Sequence, residues 1–173
     1  MKKIHIRRAE IADNVGIAKV QAAGWRQGYK GIIPASFLDG LDVKGSFERW
    51  HGNLSDMTEE KYTNVAILDG QIVGFLAIGS ARDEKAGLQS ELWAIYIDPD
   101  FWGQGIGRAL FKQMRDELNA RNIHNTYVWI LKDNLRGRKF YESMGGTLIK
   151  GLTKQFVLNE VGYDEVAYGW VKL

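Results

Sequence analysis

Apolar and polar residues alternate from Lys3 to Arg7, with Ile4 and Ile6 on one face, and this period of two predicts a half-buried strand. Asp13 stands at the N-cap of a predicted helix over Val15 to Gln27, where Ile17, Val20 and Ala23 or Gly24 fall on one side. From Gly28 to Leu41 the pattern breaks. Its glycines and Pro34 predict a bent connection with one short helix after the proline, and Val43 to His51 predicts another. The sharpest local signal is a hairpin: Tyr62 to Leu68 and Gln71 to Ile78 are rich in β-formers, and Asp69-Gly70 suits a two-residue turn with positive φ.

Ala81 to Gly87 reads as a charged loop, and Ser90 to Ile97 is a third long β-run that stops at Asp98-Pro99. Gly103 to Gly107 then opens a helix in which Ile106, Leu110, Met114 and Leu118 form an apolar stripe, with Arg108, Lys112, Arg115 and Glu117 facing water. Thr126 to Leu131 is a strand. Asp133 or Asn134 caps a further helix that ends near Met144, stopped by Gly145-Gly146. Thr147 to Val157 and Tyr163 to Val171 close the chain as an antiparallel pair across Leu158 to Gly162. The order β, helices, β-β-β, α, β, α, β-β defines a mixed α/β (α+β) class built on one sheet.

Length and composition narrow the picture. A chain of 173 residues, 45% hydrophobic and 25% charged, reads as a single globular domain over 1–173. The absence of cysteine removes disulfides, thiolate zinc sites and a cysteine nucleophile. A net charge of +2 is too small for a phosphate-neutralising surface, so no nucleic-acid partner is expected. Met1 to Arg8 is basic but runs into Ala-Glu-Ile-Ala-Asp, unlike a signal peptide, and no segment has the roughly 18 apolar residues of a membrane helix. A cytoplasmic protein without a membrane partner is expected. His5, His51 and His124 have no metal-ligand spacing, so no metal is expected. The aromatics of the final strand, Tyr163, Tyr168 and Trp170, suit a core or the face of a homodimer equally.

Candidate chemistry concentrates between Ile95 and Leu110, where a glycine-rich turn joins a strand to a helix N-terminus. Glycines let the backbone approach a ligand closely, successive N–H groups converge on anionic oxygens, and the helix dipole favours negative charge. Two familiar phosphate loops fail. Gly107 is followed by Arg108-Ala109, not the Lys-Ser/Thr of a Walker A loop, and Arg108 stands where a dinucleotide fingerprint needs Gly or Ala. The loop also follows a long antiparallel stretch rather than a first strand.

With these residues in view, the chain resembles the GNAT superfamily of acyl-CoA-dependent N-acyltransferases over nearly its whole length. Gly105 and Gly107 match the Gln/Arg-x-x-Gly-x-Gly/Ala signature, with Trp102 in place of Gln or Arg; Asn134 to Gly145 is similar to the family's Asn-x6-Tyr-x3-Gly block, with Gly137 where Ala is common. The resemblance implies one acyl-CoA N-acyltransferase fold, a mixed and mostly antiparallel sheet flanked by helices. It implies acetyl-CoA as cosubstrate, held by the backbone of Ile95, Tyr96 and Ile97 and by Gly103, Gln104, Gly105, Ile106, Gly107 and Arg108. Arg108 either reaches a phosphate or is an ordinary solvated helix residue. Asn134 bonds the cofactor arm, caps its helix, or does both. Tyr141 is the expected proton donor to the leaving thiolate, against a reading as a packed aromatic. Glu91 is the expected base, against a solvent-facing strand residue, with Glu84 or a carbonyl and water as substitutes. Trp25 and Tyr29, four apart on one helical face, line an acceptor pocket or pack the core. The implied reaction moves an acetyl group to a primary amine of a small molecule or peptide by direct attack in a ternary complex; a non-catalytic acyl-CoA sensor on the same fold is the alternative.

Overall fold

The computed structural model describes residues 4–173; Lys3, the first residue of the predicted opening strand, lies outside them. That strand, β1, runs His5–Arg8. Helix α1 spans Asn14–Gly28. Asp13 precedes it as expected, but its side chain does not cap the helix: it accepts hydrogen bonds from Arg7 (2.6 Å) and the Glu10 amide (2.8 Å), closing a one-turn 3-10 helix over Ile11–Asp13. Helices α2 (Ala35–Asp39) and α3 (Val43–Ser55) follow, the second capped by Asp42.

Strands β2 (Tyr62–Leu68) and β3 (Gln71–Ser80) form the predicted hairpin, and both turn residues take positive φ, 51° at Asp69 and 77° at Gly70. Strand β4 covers Ser90–Ile97 and β5 Thr126–Leu131, with α4 (Ile106–Asn119) crossing between them. Helix α5 (Leu135–Ser143) leads into the final hairpin of β6 (Thr147–Leu158) and β7 (Val161–Trp170). This turn is tighter than predicted. Only Asn159 and Glu160 lie between the strands, both with positive φ, so ladder bonds extend into the stretch assigned to a loop.

The seven strands form one sheet in the order β1-β2-β3-β4-β5-β7-β6. Every neighbouring pair is antiparallel except β4 with β5, which α4 connects as a parallel crossover. One face is covered by α4 and α5, whose Ile106, Leu110, Met114, Leu118 and Tyr141 join Leu92, Val128, Val166, Tyr168 and Trp170 in the main core. Each large apolar side chain buried there contributes about 2 kcal/mol. Tyr168 and Trp170 are therefore core residues, at 1% and 4% exposure, and not a dimer face. The other face carries α1 and α3, with Ile17, Val20, Trp50 and Phe75 packed together.

Candidate active site

Strands β4 and β5 pair only at Ser90–Thr126 and Glu91–Tyr127 and then diverge. A β-bulge accompanies the divergence. Against β3, Ala94 pairs with Ala77 and Leu92 with Ile78, so Trp93 is an extra residue that bends β4 and increases its twist. Its ring lies over Gly79, where a Cβ would approach it to 2.2 Å; any larger residue would displace the indole. The bulge also reverses the alternation of side chains. Leu92, Ile95 and Ile97 pack on the α4 side, while Ala94 and Tyr96 pack toward α1.

The divergence opens a cleft of about 420 Å³ lined by β4 from Trp93 to Ile97, by Val128, Trp129 and Ile130 of β5, and by the start of α4 and α5. Past Glu91 the edge of β4 that faces β5 has no ladder partner. At the mouth, Gly103 and Gly105 take φ of +78° and +82°, and a Cβ built on either meets open space. Gly105 is the N-cap of α4 and supplies no side-chain bond, so the first-turn amides remain available to a ligand. Gly103, Gly105, Ile106, Gly107 and Arg108 all line the cleft, whereas Gln104 is exposed and does not. Gly107 has a packing reason too, since a Cβ there would come within 3.1 Å of the Phe140 ring. The indole of Trp102 donates to the Ile97 carbonyl (2.9 Å), pinning the turn to the end of β4, and the Arg136 guanidinium lies 3.6 Å from the centre of its ring.

Tyr141 lies in the cleft wall, 7% exposed, and its hydroxyl makes no hydrogen bond among the described residues. Burial pushes its pKa well above the usual phenol value, so the proton stays on at neutral pH. Asn134 caps α5 through a bond from the Gly137 amide (2.9 Å) and also lines the cleft, which leaves its NH₂ as a donor there. Of the two acceptor-side aromatics, Tyr29 lines the cleft and bonds the Tyr96 hydroxyl at 3.0 Å. Trp25 stands behind it, its ring edge-on to Tyr29 at 4.9 Å and packed against Phe37 and Phe156.

Glu91 is not brought into the cleft. It is 1% exposed, and its carboxylate accepts from the Arg82 amide (3.0 Å), the Arg82 guanidinium and the Tyr127 hydroxyl (2.8 Å). Burial raises its pKa, but these donors outweigh burial and hold it below the ordinary carboxylate range. A carboxylate so saturated is a weak proton acceptor. Glu84 stands in a one-turn helix in the same connection and does not line the cleft. Sequence reasoning missed Trp93, Arg136 and Phe140 in the cleft wall. Arg136 and Phe140 lie inside the Asn134 to Gly145 block, but nothing local marks Trp93 as a bulge.

Residues 26–146 match the family described as acetyltransferase (GNAT) family, and the chain belongs to it. It is 29% identical over 98% of its length to an uncharacterized N-acetyltransferase, YuaI, of Bacillus subtilis, covering 94% of that protein. It is 31% identical over half its length to the [ribosomal protein bS18]-alanine N-acetyltransferase of Escherichia coli, covering 55% of that protein. Its fold matches the PaiA N-acetyltransferase of Thermoplasma acidophilum, solved in complex with coenzyme A, with a TM-score of 0.73 at 18% identity over 94% of this chain and 98% of that one. The mixed, mostly antiparallel sheet is thus that of the acetyltransferase family. No helix among the described residues is long and apolar enough to cross a membrane, and no three His, Cys, Asp or Glu side chains among them group to hold a metal.

Proposed function

We propose that this chain, as one domain in the cytoplasm, transfers the acetyl group of acetyl-CoA to a primary amine of a small molecule or peptide by direct attack in a ternary complex. The observation that carries this reading is the meeting, in one cleft, of an unpaired strand edge, an uncapped helix N-terminus and the Tyr141 hydroxyl. A pantetheine arm carries amides that can add to the β4 edge at Ile95, Tyr96 and Ile97, and a pyrophosphate suits the amides from Gly103 to Arg108. The open space beside Gly103 and Gly105 supports that fit. Arg108 and Arg136 add positive charge at the same mouth, and the Asn134 NH₂ suits the carbonyls of the arm.

Bound acetyl-CoA supplies a thioester carbon open to attack and a thiolate leaving group. Tyr141 donates its proton to the sulfur as charge develops there: burial keeps the hydroxyl protonated at neutral pH, and it has no competing hydrogen bond among the described residues. Tyr29 and Tyr96 shape the acceptor side of the wall and, with Trp25 behind them, favour an amine with a flat or apolar body. The relative acting on a ribosomal-protein alanine supports including peptide N-termini among the acceptors. Glu91 fits the role of a strut that ties the end of the β4–β5 pairing to Arg82 better than that of a base.

The test is calorimetric titration with CoA followed by CoA release from acetyl-CoA over phenethylamine, spermidine and a hexapeptide beginning with alanine. Micromolar CoA binding with release on at least one amine is expected. Binding without release on any amine would favour the sensor, and no binding would remove the reading altogether.

A further inference from the structure

With Glu91 committed to Arg82, a second half-buried carboxylate stands just behind the cleft wall: Glu165 does not itself line the cleft, but it interacts electrostatically with Tyr29, which does. Alternation along β7 turns Val166, Tyr168 and Trp170 into the main core and leaves Glu165 and Ala167 on the opposite face, the face of Trp129 and Leu131. Leu131 is directly opposite Glu165 and packs with Tyr29; Trp129 is opposite Ala167, hence diagonal to Glu165. On the other side β6 brings Lys154 opposite Glu165. The Lys154 ammonium lies 4.4 Å from the centre of the Trp129 ring and 3.5 Å from the Glu165 carboxylate, which ties that carboxylate to the cleft wall that Trp129 forms.

The two carboxylates differ in what they have left to give. Glu91 has four hydrogen bonds and no exposure to speak of. The Glu165 side chain keeps 16% of its surface and has one ion pair among the described residues, with a lysine that is itself 43% exposed. We propose that Glu165 binds the ammonium of the acceptor and takes its proton. This rests on the acetyl-transfer reading above. The N–H bond of the ammonium breaks, its electron pair stays on nitrogen and the proton goes to a Glu165 oxygen. The lone pair then forms the C–N bond as the C–S bond breaks, sulfur takes the Tyr141 proton, and the second proton leaving nitrogen restores the Tyr141 hydroxyl.

The charged and titratable groups around Glu165 come from four elements. Burial and Glu91 of β4 push its pKa up, while Lys154 of β6 and Arg82 after β3 pull it down; Tyr29, just after α1, faces it as a neutral phenol. The net shift is upward, which improves a carboxylate as a proton acceptor.

The experiment measures kcat/KM against pH for acetylation of phenethylamine, or of the alanine hexapeptide if that is the better acceptor, with wild type, Glu165→Gln, Glu165→Asp and Lys154→Met, each checked for an unchanged melting profile. Glu165→Gln is expected to lose about 100-fold at pH 7, a gap that narrows as pH approaches the amine pKa, with Glu165→Asp partly active. Lys154→Met is expected to move the acid limb up by about one pH unit, because the carboxylate loses its nearby cation. A Glu165→Gln profile that tracks wild type, or falls equally at every pH, overturns the proposal. Titration of the same amine into the protein–CoA complex is independent of turnover. Weaker amine binding by Glu165→Gln, with wild type inactive, would retain Glu165 as the ammonium site and overturn acetyl transfer instead; amine binding that Glu165→Gln leaves unchanged, with wild type inactive, overturns both.

Discussion

The two sides of the cleft are built by different means. The side that suits the cofactor is made of backbone: the free edge of β4, the turn through Gly103 and Gly105, and the uncapped start of α4. The side proposed for the acceptor is made of side chains: Tyr29 after α1, Tyr96 of β4 and Trp129 of β5 line it, with Lys154 of β6 and Glu165 of β7 behind Trp129. A site made of backbone suits groups common to every acyl-CoA and depends little on side-chain identity. A side-chain site is free to differ from one family member to the next, and acceptor choice resides there.

The difference is sharpened most by Tyr141, a cleft-wall residue of α5 whose proposed role belongs to its side chain. Tyr141→Phe is expected to slow single-turnover acetyl transfer by about 100-fold, about 2.7 kcal/mol, with CoA affinity within twofold of wild type. A rate within twofold of wild type would leave the ring as packing alone. Next comes the turn. Gly105→Ala forces a side chain into a φ of +82° and aims a methyl group at the phosphate cradle, so CoA binding measured by calorimetry should weaken by about 30-fold. Gln104→Ala, which removes an exposed side chain from the same turn, should leave CoA affinity unchanged. Equal losses from the two variants would break the claim that backbone makes this side.

Glu91→Gln probes the frame between the sides. Loss of the charge that Arg82 and Tyr127 surround should lower unfolding free energy by about 2 kcal/mol at pH 7, the Arg82 side chain being 60% exposed and partly resolvated. The folded pKa of Glu91 is depressed, so its contribution is full above the unfolded value near 4.5 and is lost as pH falls through the folded one. Denaturant melts of wild type and variant should therefore draw together as pH falls from about 4.5 and meet only once it has passed the lower folded value. The smallest effect is expected on the acceptor side. Tyr29→Phe removes the bond to Tyr96 but keeps the ring against Trp25, so KM for the amine should rise about threefold with CoA affinity unchanged.

How much was legible follows the same division. The Gly103 to Gly107 turn, the Asp69-Gly70 hairpin, the stripe on α4 and the Asn134 cap are each written in a few consecutive residues, and each has the predicted form. Asp13 shows where local reading fails: it occupies the N-cap position, yet Arg7 of β1, six residues earlier, claims its carboxylate. Glu91 shows it again, because its role depends on Arg82 and Tyr127, which only the β3–β4 and β4–β5 pairings bring together.

The elements, their order, the glycine turn before α4 and the family could be read from the chain, because these depend on short-range periodicity, turn chemistry and backbone freedom. Which side chains line the cleft depends on how the strands pair and diverge. One extra residue at Trp93 separates β4 from β5, opens the cleft and turns Tyr96 toward α1, and a shift of one residue in a strand moves every later side chain to the other face. For the same reason Glu165 was invisible in the chain: strand register brings Leu131 of β5 and Lys154 of β6 opposite it, and the packing of α1 on the sheet brings Tyr29.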